Sequence, residues 1–168
     1  MKLAVTFLCA LLPAMPSAVA AADPWDAVRF LTGSWRGDGK AESATGSGTT
    51  VFTWEVSNQV LVRRDRTEYA ATSQHPAYTY EALMVIYEDA ASNGIEASYF
   101  DSGNHVLHYK LALHPQPGFV QFLSDSPGPV FRLSYKLTNP RDLQVTFEMQ
   151  PPGAGTFRQV AAGVVHRQ

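Results

Sequence analysis

Apolar and polar side chains alternate with a period of two along most of the chain, the signature of strands with one face buried and one face wet. Over residues 130–137, Phe131, Leu133, Tyr135 and Leu137 share one face, while Arg132 and Lys136 share the other. Over 142–149, Leu143, Val145, Phe147 and Met149 oppose Gln144, Thr146 and Glu148. Similar runs rich in Val, Phe, Tyr and Thr occupy 34–43, 49–57, 59–70, 79–88, 94–101, 105–113, 118–124 and 156–167. Turn clusters separate them, among them Thr45-Gly46-Ser47-Gly48, Ser102-Gly103-Asn104 and Pro151-Pro152-Gly153. About ten strands with short connections predict an all-β, antiparallel up-and-down barrel, because a sheet that long curls and closes to remove its edges.

Ahead of the strands, Asp23-Pro24-Trp25-Asp26 reads as a helix start, with Asp23 as cap and Pro24 at the first helical position. Trp25, Val28 and Leu31 would form its buried stripe, with Arg29 outside, so one short helix over 23–31 is expected to cap one end of the barrel.

The first strand carries glycines in an unusual pattern, Gly33-Ser34-Trp35-Arg36-Gly37-Asp38-Gly39-Lys40. Alternation puts Arg36, Asp38, Lys40 and Glu42 outside and Trp35, Gly37, Gly39 and Ala41 inside. Inward glycines are expected to leave space there and to let the strand bend. A phosphate cradle would need a helix opening directly after the glycines, and an alternating strand follows instead.

Composition adds a leader. Lys2, the apolar stretch 3–12 and Ala18-Val19-Ala20 have the form of a secretory signal peptide cut after Ala20, leaving 21–168 as one barrel domain. The apolar run is too short, and too broken by Pro13 and Pro16, to span a bilayer, so no transmembrane segment is expected in the mature chain. The only cysteine, Cys9, lies in that leader, so the exported chain is expected to have no disulfide and no thiolate metal site. The net charge of −2 argues against nucleic acid or an anionic membrane as partner.

A short helix followed by Gly33-Ser34-Trp35 opening an antiparallel meander resembles the calycin superfamily, the lipocalin-like barrels. The longer G-x-W-x-G-x-G form resembles the ten-stranded nitrobindins. The stretches "VLVRRDRTEY", "LMVIYEDA", "YFDSGNHVLHY" and "SDSPGPVFRLSY" are similar to a secreted bacterial calycin branch, so the resemblance spans nearly the whole mature chain. It implies a structural role for Gly33, Trp35 and Arg167, the late basic side chain lying across the tryptophan at the closed end. Any ligand mouth would then be at the opposite end, near 45–48 and 151–155. The nitrobindin resemblance also implies a haem-ligating histidine inside the last strand. Residues 157–162 have none and His166 falls on the outer face, so no haem or other cofactor is expected, with His105 the only inward substitute.

Candidate chemistry centres on Arg63-Arg64-Asp65-Arg66. Val60 and Val62 suggest that even positions point in, which places Arg64 inside, either as an anchor for an anionic ligand group or in a structural ion pair. Tyr80, Tyr99, His105, Tyr109, Tyr135 and Gln159 also fall on expected inner faces. They would line either a small-molecule cavity with a few polar groups or a filled core. Neither a set of metal ligands nor a Ser–His–acid arrangement stands out, since His105 and His108 point to opposite faces of a strand. The expectation is an exported barrel that binds a small apolar or amphipathic molecule without covalent chemistry. The alternatives are a nitrobindin-like haem protein or enzyme, and a protein-interaction module.

Overall fold

A computed structural model describes residues 23–41, 44–92, 94–112, 116–125 and 127–168. The leader expected over 1–20 lies outside them. Ten strands form one closed, antiparallel up-and-down barrel. In chain order they are β1 (Gly33–Ala41), β2 (Ala44–Glu55), β3 (Val60–Tyr69), β4 (Tyr78–Asp89), β5 (Gly94–Asp101), β6 (Val106–Leu111), β7 (Phe119–Ser124), β8 (Val130–Asn139), β9 (Asp142–Gln150) and β10 (Arg158–Arg167). Each strand pairs with the next, and β1 closes on β10 through Trp35 opposite Arg167 and Arg36 opposite His166. The glycines of 45–48, expected as a turn, instead lie within β2, paired one for one with β1.

Two short 3-10 turns, Pro24–Ala27 and Arg29–Leu31, replace the expected single helix. Asp23 accepts the Trp25 backbone N–H at 3.0 Å, as a cap should. Trp25, Val28 and Leu31 are buried and Arg29 is exposed. The Trp25 ring meets Trp54 edge-on at 5.0 Å, and Trp54 Nε1 donates to Thr32 Oγ1 at 3.0 Å, so this segment plugs the end of the barrel.

Beneath the plug, Trp35 is fully buried and donates from Nε1 to the Leu31 carbonyl at 2.7 Å. The Arg167 guanidinium lies 4.2 Å over its ring and donates to the carbonyls of Thr32 at 2.8 Å and Phe30 at 3.1 Å. Gly33 has a φ of +121°, and a Cβ there would meet Arg167 Nη1 at 2.8 Å, so backbone geometry and space both call for glycine. Phe52, Leu61, Met84, Ile86, Phe122, Tyr135 and Leu143 complete a tightly packed lower half.

Of the other glycines on the inner face, Gly163, opposite Val145, has nothing within 4 Å of a Cβ position, whereas Gly37, Gly46 and Gly48 leave no void. A Cβ on Gly37 would strike Val165, one on Gly46 would strike Tyr69, and one on Gly48 would strike Thr67. Their bareness admits neighbouring side chains and lets β1, β2 and β10 approach closely, which corrects the expectation of free space above them.

Candidate functional site

Cross-strand register assigns the inner wall in rows, since directly opposed residues share a face. One row runs Leu61, Ile86, Ala97, Tyr109; the next runs Arg63, Met84, Tyr99, Leu107; the next runs Asp65, Ala82, Asp101. Above the first of these rows the barrel is open. A cavity of about 670 Å3 is walled on one side by Arg63, Tyr80, Tyr99, Leu107 and Tyr109, and on the other by Phe131, Leu133, Val145, Phe147 and Ala161. Asp101, Asn104, His105 and Val106 form part of its rim, at the end opposite Trp35. The mouth therefore borders the β5–β6 turn, and 45–48 and 151–155 are not among its lining. The Phe131 and Phe147 rings stack 5.5 Å apart and nearly parallel, giving the cavity a flat apolar wall. The interior is thus filled below and hollow above.

Arg64 does not face this space. Its side chain is 57% exposed and pairs with Glu55 at 2.7 Å on the outer surface. The inward arginine is Arg63, one position earlier, because Leu61 rather than Val60 or Val62 sets the buried phase of β3. Arg63 forms a two-point ion pair with Asp65, with Nε donating to Oδ1 at 3.0 Å, and Nη1 donates to the Tyr135 hydroxyl at 2.5 Å. Thr50 also donates to Asp65 at 2.7 Å. Burial works against charge on Arg63, but Asp65, with Tyr135 and Tyr99, outweighs it and holds the guanidinium above its ordinary pKa. The alternation carried the missed signal. Arg63 and Asp65 share a face and cancel, whereas the opposite phase would bury Arg64 and Arg66 together.

Gln159 is also outside. The ladder between β9 and β10 slips between Gln159 and Ala161, so Gln159 lies opposite Glu148. Glu148 pairs with Arg132 on the outer face at 2.6 Å, and the Arg132 guanidinium lies 4.0 Å over Phe157. A bulge of one residue thus turns Phe157 and Gln159 from the expected inner face to the outer one. Ala161 resumes the inward phase opposite Phe147.

Tyr80, Tyr99 and Tyr109 line the cavity, whereas Tyr135 is fully buried below it as the support of Arg63. His105 precedes β6 and stands on the rim, with its side chain 71% exposed. Its Nδ1 lies 3.0 Å from Asp101 Oδ2. Asp101 is only 4% exposed in its side chain and organises the β5–β6 turn, accepting the backbone N–H groups of Gly103 at 2.9 Å and His105 at 3.0 Å. It also accepts from Tyr80 at 2.7 Å and Tyr99 at 3.2 Å, and the two hydroxyls are 2.6 Å apart. Burial raises the Asp101 pKa, but the bonds from Tyr80 and His105 overcome this and bring it below the ordinary value. Burial pushes Tyr80 up to about 12 and Tyr99 and Tyr109 higher still, so these hydroxyls stay protonated at neutral pH.

No protein-family model and no curated protein matches the sequence. Among solved structures, the chain is similar to an S-type phycobiliprotein lyase, CPES, from Guillardia theta. The TM-score is 0.51 at 8% identity, over 83% of this chain and 89% of that one. The fold is calycin-like. Similarity at this level carries the barrel and not its contents, so what the calycin-like barrel holds must be argued from its own cavity. Among the described residues, no helix is long and apolar enough to cross a membrane, and no three His, Cys, Asp or Glu side chains are grouped to hold a metal ion.

Proposed function

We propose that this calycin-like protein holds a small, mainly apolar molecule, without covalent chemistry, in the upper half of its barrel. The observation that carries the reading is the half-filled interior, a roomy cavity walled by Leu107, Phe131, Leu133, Val145 and Phe147 with a few polar groups fixed among them. That make-up is the usual one for a small-molecule site. The polar groups are preorganised: Asp65 and Tyr135 hold Arg63, and Asp101 holds Tyr80 and Tyr99.

The reading includes export, to the periplasm or beyond, as a member of the secreted calycin branch that the sequence resembles. Lys2, the apolar run 3–12 and Ala18-Val19-Ala20 support it. The mass of the protein recovered from its native host checks this part: a chain starting at Ala21 is expected, and one retaining the leader would refute it.

Native mass spectrometry of the protein as purified, repeated after extraction and re-addition of apolar compounds, tests the binding itself. A one-to-one adduct is expected, and Ala161→Phe, which fills the cavity from β10, should abolish it. An adduct indifferent to Ala161→Phe would place the ligand elsewhere and overturn the reading.

A further inference from the structure

The Tyr109 hydroxyl is the one inward tyrosine oxygen of the cavity wall without a hydrogen-bond partner among the described residues. Tyr80 and Tyr99 are tied to each other and to Asp101. Tyr109 is 2% exposed and lines the cavity. No fully enclosed side-chain nitrogen or oxygen in the described structure lacks a partner. A free hydroxyl on so buried a residue therefore opens onto the cavity itself. Once an apolar ligand fills the cavity, leaving such a group unpaired is costly, and a ligand that accepts its hydrogen bond removes that cost.

Arg63 points the same way. Of its five N–H donors, two reach Asp65 and one reaches Tyr135, which leaves two unassigned on a side chain that lines the same cavity. Free donors on both sides of the floor call for an acceptor. Charge then decides which kind. Asp65 already neutralises Arg63, and Asp101 adds a carboxylate to the lining. An anionic head would place a further negative charge in a partly dry space with no unmatched cation among its lining residues. A neutral carbonyl meets the donors without that penalty.

We propose that the ligand is an apolar molecule bearing a neutral carbonyl group, such as an aryl ketone, ester or amide, seated with its carbonyl oxygen on Tyr109 and Arg63 and its body against the stacked Phe131 and Phe147. The proposal rests on the cavity being a binding site and names the head group that site selects.

The test compares three matched probes by calorimetric titration of the full mature chain: acetylnaphthalene, ethylnaphthalene and naphthoate. The ketone should bind about tenfold more tightly than the hydrocarbon, the worth of one well-made hydrogen bond, and more tightly than the carboxylate. Tyr109→Phe should cut the ketone's advantage over ethylnaphthalene severalfold, with an unchanged thermal midpoint showing that the variant is folded. The infrared carbonyl band of the bound ketone should shift to lower frequency in the wild type, and by less in Tyr109→Phe. If ethylnaphthalene binds and the ketone gains nothing over it, or if naphthoate binds best, the head-group assignment is overturned while the cavity reading stands. If no probe binds, both are refuted.

Discussion

Two adjacent arginines on β3 make opposite demands on stability. Arg63 keeps 14% of its side chain exposed and Asp65 keeps 7%. Removing either partner leaves the other desolvated and uncompensated, which costs about 3–5 kcal/mol. Asp65→Ala should be the more severe of the two, because it strands a full guanidinium and also removes the acceptor for Thr50. Arg63→Met retains the stem and strands the carboxylate. For a domain of this size each kcal/mol moves the thermal midpoint by roughly 3–4 °C, so either single variant should lose roughly 10–20 °C. The double replacement Arg63→Met with Asp65→Leu should recover most of the loss, since a well-packed apolar pair often matches a buried ion pair. Arg64→Met, one residue along, should leave the midpoint unchanged, because its pair with Glu55 stands in water. Thermal unfolding followed by tryptophan fluorescence reads all four variants. Equal losses from Arg63→Met and Arg64→Met would refute the assigned phase of β3. Single variants near the wild-type midpoint would refute the energetic reasoning.

Three further outcomes follow from the same geometry. Trp35→Ala should cost about 3–5 kcal/mol, and Arg167→Met, which removes two hydrogen bonds and a cation over the indole, about 1–2 kcal/mol, both read as urea midpoints; a neutral Trp35→Ala would contradict the packed closed end. Gly33→Ala should destabilise through its left-handed backbone and its clash with Arg167, and rescue by Arg167→Met should be only partial because the backbone strain remains. Asp101 has a lowered pKa, so its stabilisation is full above the ordinary value of 3.8 and fades as pH falls through the lower folded value; the stability gap between wild type and Asp101→Asn should therefore close on acidification, and a gap independent of pH would show that the charge contributes nothing.

Alternation was enough to read the barrel. Phe131, Leu133 and Tyr135 on β8, and Leu143, Val145 and Phe147 on β9, face inward as the pattern required. Closure was legible too, since Gly33, Trp35 and Arg167 meet at the plugged end. Phase was harder wherever both faces of a strand are apolar. On β3, Val62 is nearly buried although it lies opposite Val85 on the outer side, so hydrophobicity could not choose between Arg63 and Arg64. Charge cancellation between Arg63 and Asp65 would have chosen correctly. Gln159 was lost to a single-residue bulge that no pattern in Thr156-Phe157-Arg158-Gln159-Val160 announces. The special position of Tyr109 rests on the absence of a partner, which depends on everything packed around it and is invisible along the chain.

Methyl-resolved NMR during titration with ethylnaphthalene tests most directly the claim that the upper barrel is the ligand site. Ring currents from a bound naphthalene should shift the methyl signals of Leu107, Leu133 and Val145, which wall the cavity, and leave those of Leu31 and Leu61 in the packed lower half in place. Saturating shifts on the outward Val160 and Val164, with Leu107, Leu133 and Val145 unmoved, would contradict it.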